Sequence, residues 1–469
     1  MRTLTALDSK ILDINSESLG VPVDKLMDNA GNAIANYLGS NFPEKRVAFI
    51  CGTGNNGGDG ITAASKMDLS KVTVFLIKSP EHIHSTHIRT LLDELKCPIR
   101  EFSEFDGGKY DVIVDCVLGT GLSGRIRDPY IDVVLRINEF DGPVISIDVP
   151  SGLGTDLSVE PDVTITFHTF KEGMNESNSG EIVVVDIDIP IEAETVVGPG
   201  DMLRYPLSES ASHKGENGRL LIIGGGPYFG APVLAALAAM RIGTDIVRIA
   251  APYNCRNAIS AASPVLMFTE VGRSELKPAC VPSLIRLSED YDAVLIGPGS
   301  GVSDPVKKTT RRFVSECKIP IVIDADGITA LGNDFIGNEK IILTPHRREF
   351  ENLGGKMSDR AEDSVTELSK RIRSTVILKG KEDIIALNDR VRVNKTGSPG
   401  MTSAGTGDVL SGIVAGLLSK GMNPFDAACL GAYISGKAGE FAFEERSYGL
   451  IATDVIDMMP RVLKEGLGR

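Results

Sequence analysis

Three segments in the first half of the chain carry residue types suited to phosphate and proton chemistry. The run Gly52-Thr53-Gly54-Asn55-Asn56-Gly57-Gly58-Asp59-Gly60 follows the apolar stretch Val47–Cys51 and leads into a helical segment. Glycines there let backbone N–H groups approach a diphosphate, and the N-terminus of the following helix favours an anion. A GxGxxG match lies inside it. The next apolar run, 72–77, however ends in Lys78-Ser79-Pro80, not in the acid that an ordinary dinucleotide dehydrogenase turns toward the ribose hydroxyls. Two later runs do end in acids. Asp115 precedes a second glycine loop, Gly119-Thr120-Gly121-Leu122-Ser123-Gly124-Arg125, and Asp148 precedes Val149-Pro150-Ser151-Gly152. In an open parallel sheet such loops meet in one crevice at the carboxyl ends of the strands. Both carboxylates, an asparagine and the second glycine loop are therefore expected around a phosphorylated ligand, with a cation or an acid–base step.

The second half holds a sharper signal, Gly405-Thr406-Gly407-Asp408, followed by the apolar run Val409–Leu418. Amides of a glycine turn at a helix N-terminus form an anion hole. Asp408, the first acid in that helix, is placed to take a proton from a substrate hydroxyl while the amides hold the moving phosphoryl group. The pattern is not a Walker loop, since GxxxxGK[ST] is missing.

Short β-branched runs alternating with helical segments must position these loops, which is the signature of parallel α/β sheets. Strands are expected at 46–51, 72–77, 111–116, 144–148, 163–167 and 182–187, after a helical region over about 3–40. A second series is expected at 219–224, 245–250, 293–297, 320–324, 340–344, 375–379, 384–387 and 391–394. Pro190, Pro199, Gly200 and Pro206, followed by the polar stretch Ser208–Ser212, mark a junction. The expected domains are 1–207 and 208–469.

With 469 residues, 42% of them apolar, the chain can bury two sizeable cores. Its formal charge of -14 and lack of a basic run argue against nucleic acid as a partner. Seven scattered cysteines without CxxC spacing suit reduced thiols in the cytoplasm, and Cys51 and Cys116 read as strand-terminal core residues. The first residues contain no apolar core of a secretory leader, and no apolar run is long enough to span a membrane. His82, His84 and His87 have only Glu81 nearby, so they read as an exposed polar helix start, not a metal site.

The motifs GTGNNGGDG, DCVLGTGLSGR and SIDVPSG, with the later TFHTFKEGM and GEIVVVDIDIP, resemble those of NAD(P)H-hydrate epimerases over roughly 1–205. That resemblance implies a Rossmann-like three-layer α/β/α fold. It implies that Asn55, Asn56, Gly57, Gly58, Asp59 and Gly119–Arg125 bind the hydrated nucleotide, and that Asp148 contacts the hydrated ring as acid–base catalyst. Asn56, Asp115 and Ser151 would ligate K⁺, with Lys171 a second polar group. His168 stands where the family has a small residue.

GTGD before an apolar helix resembles the ribokinase-like superfamily. The ordered series around it narrows the likeness: Ser212-His213-Lys214-Gly215, Gly224-Gly225-Gly226, Gly230-Ala231-Pro232, Gly297-Pro298-Gly299-Ser300-Gly301, Asp324-Ala325-Asp326-Gly327, Thr344-Pro345-His346 and Lys379-Gly380. Over about 208–469 it looks like the ADP- or ATP-dependent NAD(P)H-hydrate dehydratases. The likeness implies a second three-layer α/β/α unit, with Asp408 as base. Ala231, Gly301 and His346 would line the hydrate site. Lys379, Gly380, Lys381, Glu382, Asp383, Gly405, Thr406 and Gly407 would face an ADP or ATP donor carried with Mg²⁺. Arg347-Arg348, Ala404 and Gly243-Thr244-Asp245 depart from the family pattern. Small-molecule substrates, no membrane and a homo-oligomer complete the expectation. A ribokinase-type small-molecule kinase with a fused nucleotide-binding or scaffold domain is the alternative.

Overall fold

The computed structural model describes residues 3–121 and 124–468. Leu122 and Ser123, expected in the second glycine loop, lie outside the described residues. Two compact units divide between Ala193 and Glu194, upstream of the junction expected at 207. The proline- and glycine-rich segment after Ala193 is tied to the second unit. Val196 bridges Val393, and Arg392 bonds both Asp201 and the Val196 carbonyl.

The first unit begins with α1 (Ala6–Ser18) and α2 (Val23–Asn41). Its strands are β1 (Val47–Cys51), β2 (Val72–Leu76), β3 (Ile99–Glu101), β4 (Val112–Cys116), β5 (Val144–Ile147), β6 (Val163–Phe167) and β7 (Glu181–Val185), with α3 (Asn55–Ser65) after β1. They form one parallel sheet in the order β3-β2-β1-β4-β5-β6-β7. Order reverses at β1, so the loops after β1 and β4 open a crevice between them. β1 is buried along its whole length because it is covered on both faces. Val47, Phe49 and Cys51 join one core while Ala48 and Ile50 join the other.

The second unit repeats this plan with β8 (Arg219–Ile223), β9 (Ile246–Ala251), β10 (Met267–Glu270), β11 (Ala293–Ile296), β12 (Ile321–Ile323), β13 (Ile341–Leu343), β14 (Thr375–Leu378), β15 (Asp383–Leu387) and β16 (Arg390–Asn394). The order is β10-β9-β8-β11-β12-β13-β14-β15-β16, parallel up to β14 and antiparallel beyond it. Leu220 and Ile222 face one core, Leu221 and Ile223 the other. Both units are therefore three-layer α/β/α, as expected. The strands absent from the sequence reading, β3 and β10, are short edge strands: Ile99-Arg100-Glu101 is exposed throughout, and Met267-Phe268-Thr269-Glu270 is only half-buried before its exposed last residue.

The helix Thr406–Ser419 packs closely on the helix Gly230–Arg241. A Cβ on Gly412 would stand 2.2 Å from the Ala235 carbonyl oxygen and 2.7 Å from its Cα. Gly412→Ala is expected to lower stability by about 1–3 kcal/mol through overpacking. Urea unfolding of the second unit measures this, and an unchanged midpoint would contradict the close approach.

Candidate active sites

In the first unit, close approach dictates the first glycine loop. A Cβ on Gly52 would lie 2.0 Å from the Val117 carbonyl oxygen, and one on Gly57 would lie 2.0 Å from that of Gly52. α3 then starts without a side-chain cap, leaving its first amides free for an anion. Thr53, Gly54, Asn55 and Asn56 line a cavity of about 590 Å³, together with Gly119, Thr120 and Gly121 from the loop after β4. The volume suits a small-molecule ligand. Gly57 and Gly58 lie outside this lining. Gly57 makes room for the Gly52 carbonyl, and Gly58 lets α3 pack on Met27 and Ile88. Gly124 and Arg125 also lie outside it.

The far part of the cavity is charged. Asp148 follows β5 with φ 64°, a left-handed conformation that costs energy outside glycine. Its amide bonds the Ile165 carbonyl at 2.7 Å. Lys171, buried, donates from Nζ to Asp148 Oδ1 at 2.6 Å, and to Thr166 Oγ1 and the Phe167 carbonyl at 2.9 Å each. His168, also left-handed at φ 67°, forms part of the wall. Asp59 reaches the cavity from α3, and burial, then Asp148 and Asp13, push its carboxyl well above the ordinary range. Asp13, on α1, is pushed to about 6 by burial and by Asp148, with Lys171 opposing. Sequence reasoning missed Asp13 because it stands alone in an unremarkable helical stretch far from any glycine loop.

The expected cation residues adjoin this cavity. Asp115 is fully buried and accepts from the Val117 amide at 3.2 Å, Ser151 Oγ at 2.6 Å, Ser146 Oγ at 2.8 Å and the Ser151 amide at 2.9 Å. Ser151 Oγ also accepts the Leu118 amide at 2.8 Å, which ties the two loops together. Asn56 is different: both its Oδ1 and Nδ2 are buried with no partner among the described residues. A carbonyl oxygen left so is costly unless a ligand or ion satisfies it.

In the second unit, Gly405 takes φ 94° at the cap position of the helix Thr406–Ser419, again without a side-chain cap. Thr406 Oγ1 donates to the Met401 and Ser403 carbonyls at 2.8 and 2.9 Å, pinning the turn. Burial, then Asp324 and Asp326, push the Asp408 carboxyl to about 7, with Lys379 opposing. The Lys379 Nζ donates to Asp324 Oδ1 at 3.0 Å and lies 3.4 Å from where a Cβ on Gly407 would stand. Burial works against its charge, but Asp324 and Glu349 outweigh this and keep it protonated. Thr344 Oγ1 also bonds Asp324, at 2.6 Å, and the Gly301 amide bonds Asp326 at 2.8 Å.

The structure thus brings Gly301, Lys379, Gly407 and Asp408 into one charged network. His346 is placed differently from a free ligand contact. Its Nδ1 caps the helix Arg347–Asn352 by accepting the Arg348 and Glu349 amides at 3.1 and 3.2 Å, and its Nε2 lies 3.5 Å from Glu349 Oε1. Asp383 closes the turn after β14 by accepting the Gly380 amide and Asn394 Nδ2, while Lys381 and Glu382 are exposed. Ala231 opens the helix Gly230–Arg241, which has no side-chain cap. His82 and His84 are exposed, and the described residues include no group of three or more His, Cys, Asp or Glu able to hold a metal.

Doubly wound sheets with uncapped helix termini beside buried lysine–aspartate pairs define an α/β enzyme for phosphorylated ligands. Residues 220–461 match the family model described as NAD(P)H-hydrate dehydratase, and residues 23–173 match that of the YjeF-related protein N-terminus. The bifunctional NAD(P)H-hydrate repair enzyme of Methanothermobacter thermautotrophicus is 41% identical, over 98% of this chain and 95% of its own. That of Archaeoglobus fulgidus is 37% identical over 99% of each. A crystal structure of ADP/ATP-dependent NAD(P)H-hydrate dehydratase from Bacillus subtilis, co-crystallised with ATP and Mg²⁺, matches with TM-score 0.52 and 27% identity. It covers 58% of this chain and 98% of that one. The chain belongs to the family of bifunctional NAD(P)H-hydrate repair enzymes.

The carboxylate cluster of the first unit makes a direct prediction. Asp148→Asn removes a negative neighbour from Asp13, so the Asp13 carboxyl should titrate below about 6. A carbon-13 carboxyl titration reads this, and an unmoved Asp13 would show that the two groups do not share the cavity.

Proposed function

We propose that the first unit interconverts the R and S hydrates of NADH and NADPH, and that the second dehydrates the S hydrate with ADP or ATP as phosphoryl donor. The products are NADH or NADPH, phosphate, and AMP from ADP or ADP from ATP. The extra hydroxyl of the hydrated ring is a poor leaving group. Asp408 takes its proton as it attacks the terminal phosphoryl group. The amides of Gly405–Gly407 and the Lys379 ammonium hold that group as charge develops. Phosphate then leaves with the C–O bonding pair, the neighbouring ring carbon loses a proton to water, and the C–H bonding pair becomes the restored double bond of the dihydronicotinamide. The carrying observation is the Asp408 carboxyl, pushed to about 7 on an uncapped helix terminus, as a general base near neutral pH needs. Ala231, Gly301 and the His346 ring would face the hydrate. Lys379, Gly380, Lys381, Glu382 and Asp383 would lie along the donor. Mg²⁺ would arrive on the nucleotide, held mainly through phosphate oxygens.

In the first unit the amides at the start of α3 and the loop Gly119–Gly121 would hold the diphosphate, and Asp148 would work on the ring. Asn56 Oδ1, unpartnered among the described residues, fits K⁺, as does the negative charge of Asp115, with the remaining lone pair of Ser151 Oγ as a third ligand. Bound there, the ion would supply positive charge beside the two anion-holding loops. A reducing cytoplasm is supported by seven unpaired cysteines, and self-association by exposed Tyr228, Phe229 and Tyr448. No helix among the described residues is long and apolar enough to cross a membrane.

Separation of function tests the reading. Asp408→Asn should slow dehydration by roughly 10²–10⁴-fold and leave epimerisation intact, while Asp148→Asn should do the reverse. The wild-type dehydration rate should rise with pH through about 7, as Asp408 loses its proton. Full dehydration by Asp408→Asn would refute its role. For the cation, K⁺ should raise the unfolding temperature of the first unit and choline should not, and Asn56→Ala should abolish the difference. An equal shift in Asn56→Ala would place the ion elsewhere.

A further inference from the structure

The first cavity holds an acid that no strand-end loop supplies. Asp13 lies on α1, ahead of residues 23–173 matched by the family model. Backbone bonds hold α1 over the cavity. The Leu4 amide bonds the Phe170 carbonyl and the Glu172 amide bonds the Leu4 carbonyl, each at 2.9 Å, so the start of the chain clamps both sides of Lys171. Thr5 and Asp8 form a capping box at the first turn. Asn15 Nδ2 donates to the Ala193 carbonyl at 3.2 Å, and Leu4, Leu12 and Ala193 pack together. The result places Asp13 in the cavity wall with Asp59, Asp148 and Lys171. Lys171 already spends its ammonium on Asp148, Thr166 and the Phe167 carbonyl. Asp13 has no hydrogen-bond or ion-pair partner among the described residues. A carboxyl group tethered this firmly, lining a ligand cavity without a protein partner, is available to the ligand.

We propose that Asp13 is a catalytic acid–base residue of the epimerase site, exchanging a proton with the hydroxyl of the hydrated ring while Asp148 serves a water on the opposite face. The proposal rests on the epimerase reading of the first unit. Hydration of the enamine double bond puts the hydroxyl on the carbon bonded to the ring nitrogen, and the two hydrates differ at that carbon. Asp13, as the acid, gives its proton to the hydroxyl. The C–O bond breaks, the bonding pair leaves with water, and the nitrogen lone pair forms a C=N⁺ bond among the carboxylates. A water then attacks the other face, forming a new C–O bond. The C=N⁺ π pair returns to nitrogen, and the Asp148 carboxylate accepts the proton. One proton has passed from Asp13 to Asp148, one water has left and one has entered, and no electrons are gained or lost. The reverse sequence converts the other epimer, and exchange with solvent resets the pair.

Asp13 faces Asp59 from α3, Asp148 from the end of β5, and Lys171 and His168 from the segment after β6, with Lys10 on its own helix. The working pair carries one proton in either direction. Activity should therefore fall as pH rises through about 6, where Asp13 loses its proton.

The test uses the full chain without nucleotide, following conversion of one purified epimer to the other above the spontaneous rate. Asp13→Asn should lower kcat by roughly 10²-fold or more with little change in KM, and should lose the limb near pH 6. Asp13→Glu should restore part of the rate together with a displaced limb, which a purely structural role would not produce. Wild-type kcat in Asp13→Asn, or a loss confined to KM with the limb intact, overturns the proposal. So does failure of Asp13→Glu to recover either rate or limb. A wild-type chain that does not interconvert the epimers refutes the epimerase reading itself; an active wild type with an unimpaired Asp13→Asn refutes only the role of Asp13.

Discussion

Each unit is organised around a buried ammonium with more carboxylates around it than it can neutralise. Lys171 is committed to Asp148, with Asp13 and Asp59 nearby. Lys379 is committed to Asp324, with Glu349 and Asp408 nearby. A buried charge without a partner is expensive, so each lysine fixes one aspartate as its counter-ion. The carboxyls left over feel burial and negative neighbours together, and Asp13 and Asp408 rise to about 6 and 7. Those are the values at which a carboxyl can both hold and release a proton near neutrality. The ion pair and the titrating acid beside it are two consequences of one charge imbalance.

Parallel topology makes this crowding repeatable. Both sheets reverse order at their first strand, β1 or β8, so the following glycine turns open onto a crevice rather than onto a neighbouring crossover. Uncapped helix termini at α3 and at Thr406 bring partial positive charge to the same edge. A chain of net charge -14 can therefore hold polyphosphate ligands without a basic surface. Charge is balanced locally, by amides and single buried lysines.

Much of this was legible in the sequence because fully buried parallel strands read as unbroken apolar runs. β1, β4, β5 and β8 fall where expected, and so do the glycine loops after them. Asp148 and Asp408 stood out because each ends a strand or opens a helix beside such a loop. What the sequence hid depends on contacts distant along the chain. Asp13 becomes part of the site because Leu4 pairs with the backbone around Lys171 and Asn15 bonds the Ala193 carbonyl. The segment after Ala193 joins the second unit through contacts distant in sequence, among them Val393, Arg392 and Asp426. His346 sits in the expected loop, yet its Nδ1 is used as a helix cap, which a motif cannot reveal. Gly57 and Gly58 belong to a ligand-loop motif but meet packing demands, since the same residue type serves close approach to a ligand and to a helix.

Two charge-crowded sites would then act in turn on one damaged cofactor. The most direct measurement mixes both hydrate epimers with the wild-type chain, K⁺, Mg²⁺ and ADP or ATP, and follows the reduced-nicotinamide absorbance and inorganic phosphate together. Complete recovery of both epimers beyond the spontaneous rate, with one phosphate released per reduced nicotinamide, is the result this account predicts. A stable phosphate ester without regenerated NADH or NADPH, or one epimer left unconverted, would contradict it.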